Sequence, residues 1–117
     1  MINIKEMSRE FTEVEQYLMT ISPAIKSMKD VEDGTNISVS GVLIFEDIKE
    51  DGEVVEVMSI ITPDNQVYSC QSATFKRAIN DISNIMHGKQ FSVIKTSGKT
   101  KAGRDFINCV LDTSKLM

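Results

Sequence analysis

The sequence is poor in the residues that build disulfide scaffolds, metal sites and membrane spans. Its 117 residues include no tryptophan, two prolines, one histidine and two cysteines, Cys70 and Cys109. Two cysteines form at most one disulfide and lack zinc-site spacing, so we expect reduced, buried thiols and no metal. The longest apolar run, Val42–Phe45, falls far short of the roughly 20 residues that span a bilayer. The N-terminus lacks a basic flank followed by an apolar stretch, so we expect no secretory signal and a cytoplasmic location.

Charge is distributed unevenly along the chain. The length predicts a single domain over residues 1–117. A formal net charge of −4 argues against a protein that coats duplex DNA through bulk positive charge. Residues 30–56 hold nine acidic residues against one lysine, whereas residues 87–107 hold five cations against one acid. The basic segment is therefore the first indication of a binding surface.

The N-terminal residues 1–32 are predicted to form a helical extension. Ser8 can cap a helix over residues 8–21, and the apolar residues after it recur at spacings of 3, 4 and 3. These residues are Phe11, Val14, Leu18 and Ile21. Their stripe predicts packing against the rest of the domain, with self-association as the alternative.

From residue 33 the hydrophobic period changes to two, which predicts strands. A helix from Ser72 or Thr74 to Met86 interrupts them, so the order is β-β-β-α-β-β. That is the order of the five-stranded OB barrel, here predicted over residues 33–113 of a mainly β domain with helices. Gly41, inside the first strand, predicts the bend that such a strand needs. A generic α+β sheet covered by one helix is the alternative. The predicted strands are Asn36–Phe45, Val54–Thr62, Val67–Cys70, Gln90–Thr96 and Arg104–Asp112.

Signatures of enzymes are nearly absent. Ser97-Gly98-Lys99-Thr100 resembles the end of a phosphate-binding loop, but Val93 stands where that motif requires its first glycine. A catalytic cysteine needs a general base to activate its thiol. His87, the single histidine, is the lone candidate for that base. We therefore predict a protein that is not an enzyme and needs no cofactor.

A basic loop joins the last two predicted strands. Lys95, Lys99, Lys101 and Arg104 lie within ten residues, and glycines flank the turn. In OB barrels this loop borders the face that holds single-stranded nucleic acid, where cations neutralise phosphates. The alternative is a solvated hairpin tip whose lysines protect a strand edge from aggregation.

Binding of single strands also needs exposed rings on which bases stack. Tyr68 is the best candidate, because it lies on a short polar strand and its hydroxyl tolerates exposure. Phe106, directly after the basic loop, is the second. Lys76 and Arg77, at the start of the predicted helix, would extend the path of the phosphates.

A spaced pattern over residues 33–112 resembles the single-stranded-DNA-binding proteins of protein-primed tailed phages. The resemblance implies a protein that binds single-stranded DNA without sequence preference and coats displaced strands during DNA replication in a bacterial host cell. It also implies that Tyr68 stacks a base and that replication proteins are further partners. The matching positions are Asp33-Gly34-Thr35-x-Ile37, Gly41, Val67-Tyr68-Ser69-x-x-Ser72-x-Thr74, Ala78-x-x-Asp81, Phe91-x-Val93 and Phe106.

The chain departs from that family in three respects. It has two tyrosines, so a surface of several stacking tyrosines is not carried over. Its N-terminal helix has no counterpart, and the hairpin at residues 46–56, a binding loop in OB barrels, is acidic. Two rivals follow: a small phage-encoded inhibitor that presents the acidic hairpin to a basic partner, and an assembly subunit that associates through the N-terminal helix or a strand edge.

Overall fold

Two sheets and two helices make up the described part of the chain. The structure, a computed structural model, describes residues 1–115. Its helices are α1 (Glu13–Thr20) and α2 (Ala73–Ile85), with 3-10 turns at Met28–Asp30 and Thr113–Lys115. The fold is mixed α/β and consists mostly of strands, which confirms the coarse class. The strands are β1 (Ile2–Met7), β2 (Lys26–Ser27), β3 (Asn36–Val39), β4 (Gly41–Ile48), β5 (Val54–Ile61), β6 (Val67–Cys70), β7 (Phe91–Lys99) and β8 (Asp105–Leu111).

The two sheets do not close into the predicted barrel. The first has the strand order β1-β4-β5-β6-β2 and the second β3-β7-β8. Closure would require β6 to pair with β8, a pairing that residues 1–115 do not form. Instead β2 lies parallel to β6 and takes its edge, with Lys26 opposite Tyr68 and Ser27 opposite Ser69. An open seam therefore remains between β6 and β8.

The N-terminal segment differs from the predicted helical extension. Residues 2–7 form β1, which pairs antiparallel with β4. The helix begins at Glu13 and not at Ser8, because Thr12 supplies a better cap: its Oγ1 accepts the Glu15 N–H at 3.1 Å, and Glu15 Oε1 accepts the Thr12 N–H at 2.9 Å. The Ser8 hydroxyl instead accepts the Val42 N–H at 2.9 Å. No helix within residues 1–115 is long and apolar enough to cross a membrane.

Gly41 lies at the bend between the two sheets, as predicted. The expected strand over residues 36–45 is interrupted at Ser40, so β3 belongs to one sheet and β4 to the other. The glycine has a second role, because a Cβ atom at this position would lie 2.5 Å from two carbons of the Phe11 ring. The absent side chain thus lets the N-terminal segment pack directly on the bend.

The five-stranded sheet has a hydrophobic core on each face. Val42 and Ile44 point into the inner core, which also contains both cysteines and the buried side of α2. Leu43 and Phe45, which alternate with them, point into an outer core under α1. The outer core is completed by Phe11, Met19, Ile61 and Val67. The N-terminal segment therefore covers a sheet face that would otherwise be exposed and apolar.

The buried cysteines give a test of the inner core. Burial raises the pKa of Cys70 from its usual 9.0 to about 11, and burial together with the nearby Cys70 raises that of Cys109 to about 12. We expect both thiols to resist a maleimide at pH 8 in the folded protein and to react after denaturation. Because the unfolded chain releases these protons first, the free energy of unfolding should fall as the pH rises from about 9 towards 11.

A double variant, Cys70→Ala with Cys109→Ala, isolates the contribution of the two thiols to this pH dependence. Its free energy of unfolding, measured by urea denaturation, should fall less steeply over the same pH range. Rapid labelling of the folded protein at pH 8 would show that the inner core is not closed around the sulfur atoms.

Candidate nucleic-acid interface

A groove follows the open seam between β6 and β8. It consists of two depressions, of about 750 and 190 Å³, that share the lining residues Lys29, Gln71, Ser72 and Ile107. We call them together the seam groove. The larger depression continues to the hairpin of β7 and β8, and the smaller one reaches Val57 on β5. The groove thus crosses from one sheet to the other.

The lining of the seam groove is mostly polar and comes from four parts of the chain. Lys29, from the 3-10 turn after β2, is exposed. Gln71 and Ser72 join β6 to α2, and the Ser72 hydroxyl caps that helix by accepting the Phe75 N–H at 3.3 Å. The N-terminal end of α2, with its partial positive charge, therefore borders the groove. On the opposite side, Ser97 and Phe106 of the β7–β8 hairpin line the groove.

Three predicted cations lie at the tip of the β7–β8 hairpin. The strands extend to Lys99 and Asp105, so the predicted long loop is a short turn closed by Thr100, whose N–H donates to the Arg104 carbonyl at 2.9 Å. Lys99 lies 3.8 Å from the Asp105 carboxylate, but both side chains are more than 70 % exposed. Lys101 and Arg104 are exposed and form no ion pair within the described residues. The tip therefore carries charge that solvent or a ligand can reach.

Lys95, the fourth predicted cation, has a different role. The residue is 4 % exposed, and its ammonium group donates to the Val31 carbonyl. It also lies 3.5 Å from the Asp33 carboxylate. The Lys95 backbone adds two hydrogen bonds, from the Gly34 N–H and to the Thr35 carbonyl. Lys95 also lines the larger depression of the groove, but its ammonium group is engaged by Val31 and Asp33, so it fastens residues 31–35 to β7.

Phe106 forms part of the wall of the seam groove, as its predicted role requires. It is half-buried and is the direct cross-strand partner of Gly98. A Cβ atom at position 98 would lie 2.8 Å from a carbon of the Phe106 ring, so the ring lies across the glycine backbone. Alternation along the strand places Ile107 in the inner core and the ring of Phe106 at the rim.

Tyr68 lies outside the seam groove. Its half-buried ring packs against the inner core, and Lys26 Nζ lies 5.6 Å from the ring centroid. It lines a separate depression together with Ile37 and Pro63. The structure therefore does not bring the two predicted stacking residues onto one surface.

The two predicted cations of α2, Lys76 and Arg77, are not among the residues that line the seam groove. Lys76 Nζ lies 3.2 Å from Glu56 Oε1, so its charge is paired. Arg77 is exposed on the helix. Sequence reasoning missed Lys29, Gln71 and Ser97 as groove residues, and a single chain carries no periodic signal that would have identified them.

Other chemistry is not supported by the described residues. No group of three or more acidic, histidine or cysteine side chains within residues 1–115 is placed to hold a metal ion. Cys70 borders the groove, but the raised pKa of its thiol leaves little nucleophilic thiolate. Comparison of this chain with protein families, curated proteins and solved structures finds no match.

The role of Lys95 gives a test of this assignment. Lys95→Met removes a charged hydrogen bond to Val31 and the ion pair with Asp33, so we expect the free energy of unfolding to fall by about 2–3 kcal/mol. Lys99→Met, in the same strand but exposed, should change it by no more than about 0.5 kcal/mol. Urea denaturation of both variants measures the difference, and equal effects would show that Lys95 does not fasten residues 31–35.

Proposed function

We propose that the chain is an OB-like module that binds single-stranded DNA without sequence preference along the seam groove. The observation that carries the proposal is one continuous groove with a cation at its centre, Lys29, an aromatic ring at its rim, Phe106, and a free basic tip beyond it. Cations that follow a backbone and rings that stack bases are the two elements of non-specific single-strand binding.

The arrangement favours a single strand over a duplex. Lys29 lines the groove together with one acidic side chain, Asp105, and Lys101 and Arg104 lie at the exposed hairpin tip beyond it. The hairpin between β4 and β5 is acidic at Glu50, Asp51 and Glu53, all exposed. A duplex presents phosphates on a broad surface and would bring some of them close to these carboxylates. A single strand can run from Lys29 to the basic hairpin tip and turn its bases towards Phe106.

The order of the elements supports the same proposal. The strands β3 and β4, then β5, β6, α2, β7 and β8 follow the β-β-β-α-β-β order of an OB barrel. The larger depression of the groove borders the β7–β8 hairpin, and the smaller one reaches β5 and β6, the counterparts of the second and third strands whose face holds oligonucleotides in OB barrels. Together with the resemblance to phage proteins, this order supports the proposal that the chain coats displaced strands in a bacterial host. No catalytic role is proposed.

The decisive experiment is a fluorescence-anisotropy titration of labelled oligo-dT, about 30 nucleotides long, at roughly 50 and 200 mM salt, beside a duplex of equal length. Four phosphate contacts, from Lys29, Lys99, Lys101 and Arg104, predict a loss of about 50-fold in affinity between the two salt concentrations. Duplex DNA should bind far more weakly. Absence of dT binding at the lower salt concentration would refute the proposal.

Substitutions then separate the ring from the charges. Phe106→Ala should weaken dT binding by about 1–3 kcal/mol at either salt concentration, and Phe106→Tyr should restore it. Arg104→Ala should weaken dT binding too, and it should in addition reduce the slope of log affinity against log salt concentration by about 0.7. Tyr68→Leu is the control, because its ring lies outside the groove. If Tyr68→Leu weakens binding and Phe106→Ala does not, the strand follows the tyrosine side of the sheet.

A triple change of Glu50, Asp51 and Glu53 to their amides distinguishes the rival inhibitor. Single-strand binding should be retained or become tighter, because like charge near the phosphates is removed. Loss of DNA binding in this variant would place the nucleic acid on the acidic hairpin and contradict the assignment of the groove.

A further inference from the structure

A cavity of about 330 Å³ lies between the end of β1, the inner face of β4 and the last turns of α2. We call it the α2 cavity. Its volume is at the lower end of the range for pockets that hold small ligands. The seam groove borders Ser72 at the opposite end of α2, about 18 Å from Asn84 along the helix axis. The cavity therefore takes no part in the binding of single strands proposed above.

A β-bulge turns one carboxylate towards the α2 cavity. Ile4 of β1 packs on the outer core, but the register with β4 shifts after it, and Lys5 is the extra residue. Glu6 is consequently opposite Ile44, whose side chain belongs to the inner core. Strict alternation would place Glu6 on the outer face with Ile4. The bulge places it on the inner face, where it lines the cavity, and bulges that re-aim a side chain are frequent beside functional sites.

Polar groups of α2 that have no partner line the same cavity. Asn80 and Asn84 are one turn apart on the helix, and Ser83 borders them on the buried side. Ser83 is 7 % exposed, and within residues 1–115 neither its hydroxyl nor the two side-chain amides form a hydrogen bond. No fully enclosed polar side-chain atom of the described chain lacks a partner, so the Ser83 hydroxyl is open to the cavity. A nearly buried hydroxyl without a partner costs free energy that a ligand can recover.

The other walls of the cavity are apolar and fixed. They are formed by Met7, Val42 and Ile44, which we call the apolar wall. Ser8 holds the end of β1 against β4, because its N–H donates to the Val42 carbonyl and its hydroxyl accepts the Val42 N–H, both at 2.9 Å. A Cβ atom at Gly88 would lie 2.6 Å from the Ser8 carbonyl oxygen, so the end of α2 packs directly on this segment. The cavity is thus preformed.

The electrostatics of the cavity favour a cation. Glu6 is the one charged side chain in its lining, and it forms no ion pair with any described residue. The last turn of α2, which supplies Ser83 and Asn84, has the partial negative charge of a helix C-terminus and carries no basic side chain. The carboxylate, the hydroxyl and the amide oxygens are hydrogen-bond acceptors on two opposite walls. A ligand that satisfies them needs several donors and a positive charge.

We propose that the α2 cavity binds an alkylguanidinium group, the group of an arginine side chain. The guanidinium donates to the Glu6 carboxylate on one side and to the side-chain oxygens of Asn80 and Asn84 on the other, while the alkyl stem packs on the apolar wall. A guanidinium presents its donors in a fixed planar fork, which reaches acceptors on both walls at once. An ammonium group is a compact point charge and would leave one wall unsatisfied.

An NMR titration of the full chain, labelled with nitrogen-15 and free of DNA, tests the site. With N-acetyl-arginine amide as the probe, the side-chain amide signals of Asn80 and Asn84 should shift and saturate with a dissociation constant of about 1 mM. N-acetyl-citrulline amide has the same stem and a neutral urea in place of the guanidinium, and should bind about tenfold more weakly. Absence of saturation with the arginine probe, or equal binding of the two probes, would overturn the proposal.

Variants locate the bound cation. Glu6→Gln should weaken binding of the arginine probe about tenfold, because a charge-assisted hydrogen bond is lost. Glu10→Gln removes an exposed carboxylate of the same segment that does not line the cavity, and should change the affinity less than about twofold. Ser83→Ala should weaken binding without lowering the free energy of unfolding, since the folded chain gives this hydroxyl no partner to lose. Equal effects of Glu6→Gln and Glu10→Gln would show non-specific attraction and refute the site.

A peptide distinguishes the two sources of such a group. Tighter binding of end-blocked Gly-Gly-Arg-Gly-Gly than of N-acetyl-arginine amide would support the site and assign it to an arginine of a partner protein. Equal binding would support it as a site for a small guanidine compound. Because the assay contains no DNA and the cavity is separate from the seam groove, failure of this proposal leaves the proposed function untouched.

Discussion

The pairing of β2 with β6 determines how the rest of the structure is arranged. Two residues, Lys26 and Ser27, take the edge of β6 and so prevent it from meeting β8. The unpaired seam becomes a groove lined by polar side chains, and the chain that leaves β2 brings Lys29 to its centre. One short parallel contact thus leaves a groove where a continuous sheet would otherwise close.

Lys95 provides the corresponding restraint on the other side of the seam. A buried lysine needs its ammonium group satisfied, and here the Val31 carbonyl and Asp33 satisfy it. The same contacts hold residues 31–35 against β7, so the segment that crosses between the sheets is fixed at both ends. Part of the basic character read from the sequence therefore stabilises the fold, and the part at Lys101 and Arg104 remains available for binding.

The sequence predicted the core of the fold better than its periphery. Alternation in residues 36–62 and the helical period after Ser72 are strong local signals. The strand over residues 54–62 and the helix are where they were expected, whereas the strand over residues 36–45 is divided at Ser40. The start of α1 was wrong because Ser8 and Thr12 are both acceptable caps, and only the Glu15 side chain decides between them. A two-residue strand such as β2 has no period at all, so the failure of the barrel to close was not predictable.

The candidate site likewise contains residues that local sequence patterns identified and residues whose role the sequence did not reveal. Phe106 was identified because it directly follows the basic loop, and the cluster of cations at the hairpin tip needed only proximity in sequence. Whether Lys95 is buried depends on a contact with Val31 that spans 64 residues. Tyr68 lies outside the groove, in a separate depression that it shares with Ile37 from a distant part of the chain. Such long-range contacts leave no trace in local patterns.

The placement of the Phe106 ring on Gly98 has a thermodynamic consequence for the proposed binding of single strands. A ring that rests on backbone has few alternative rotamers, so little side-chain entropy remains to be lost when a partner packs against it. In the proposed function, Gly98 would act without touching the ligand: it holds the ring in one place before binding, so that little ordering of the protein remains when a base stacks on it.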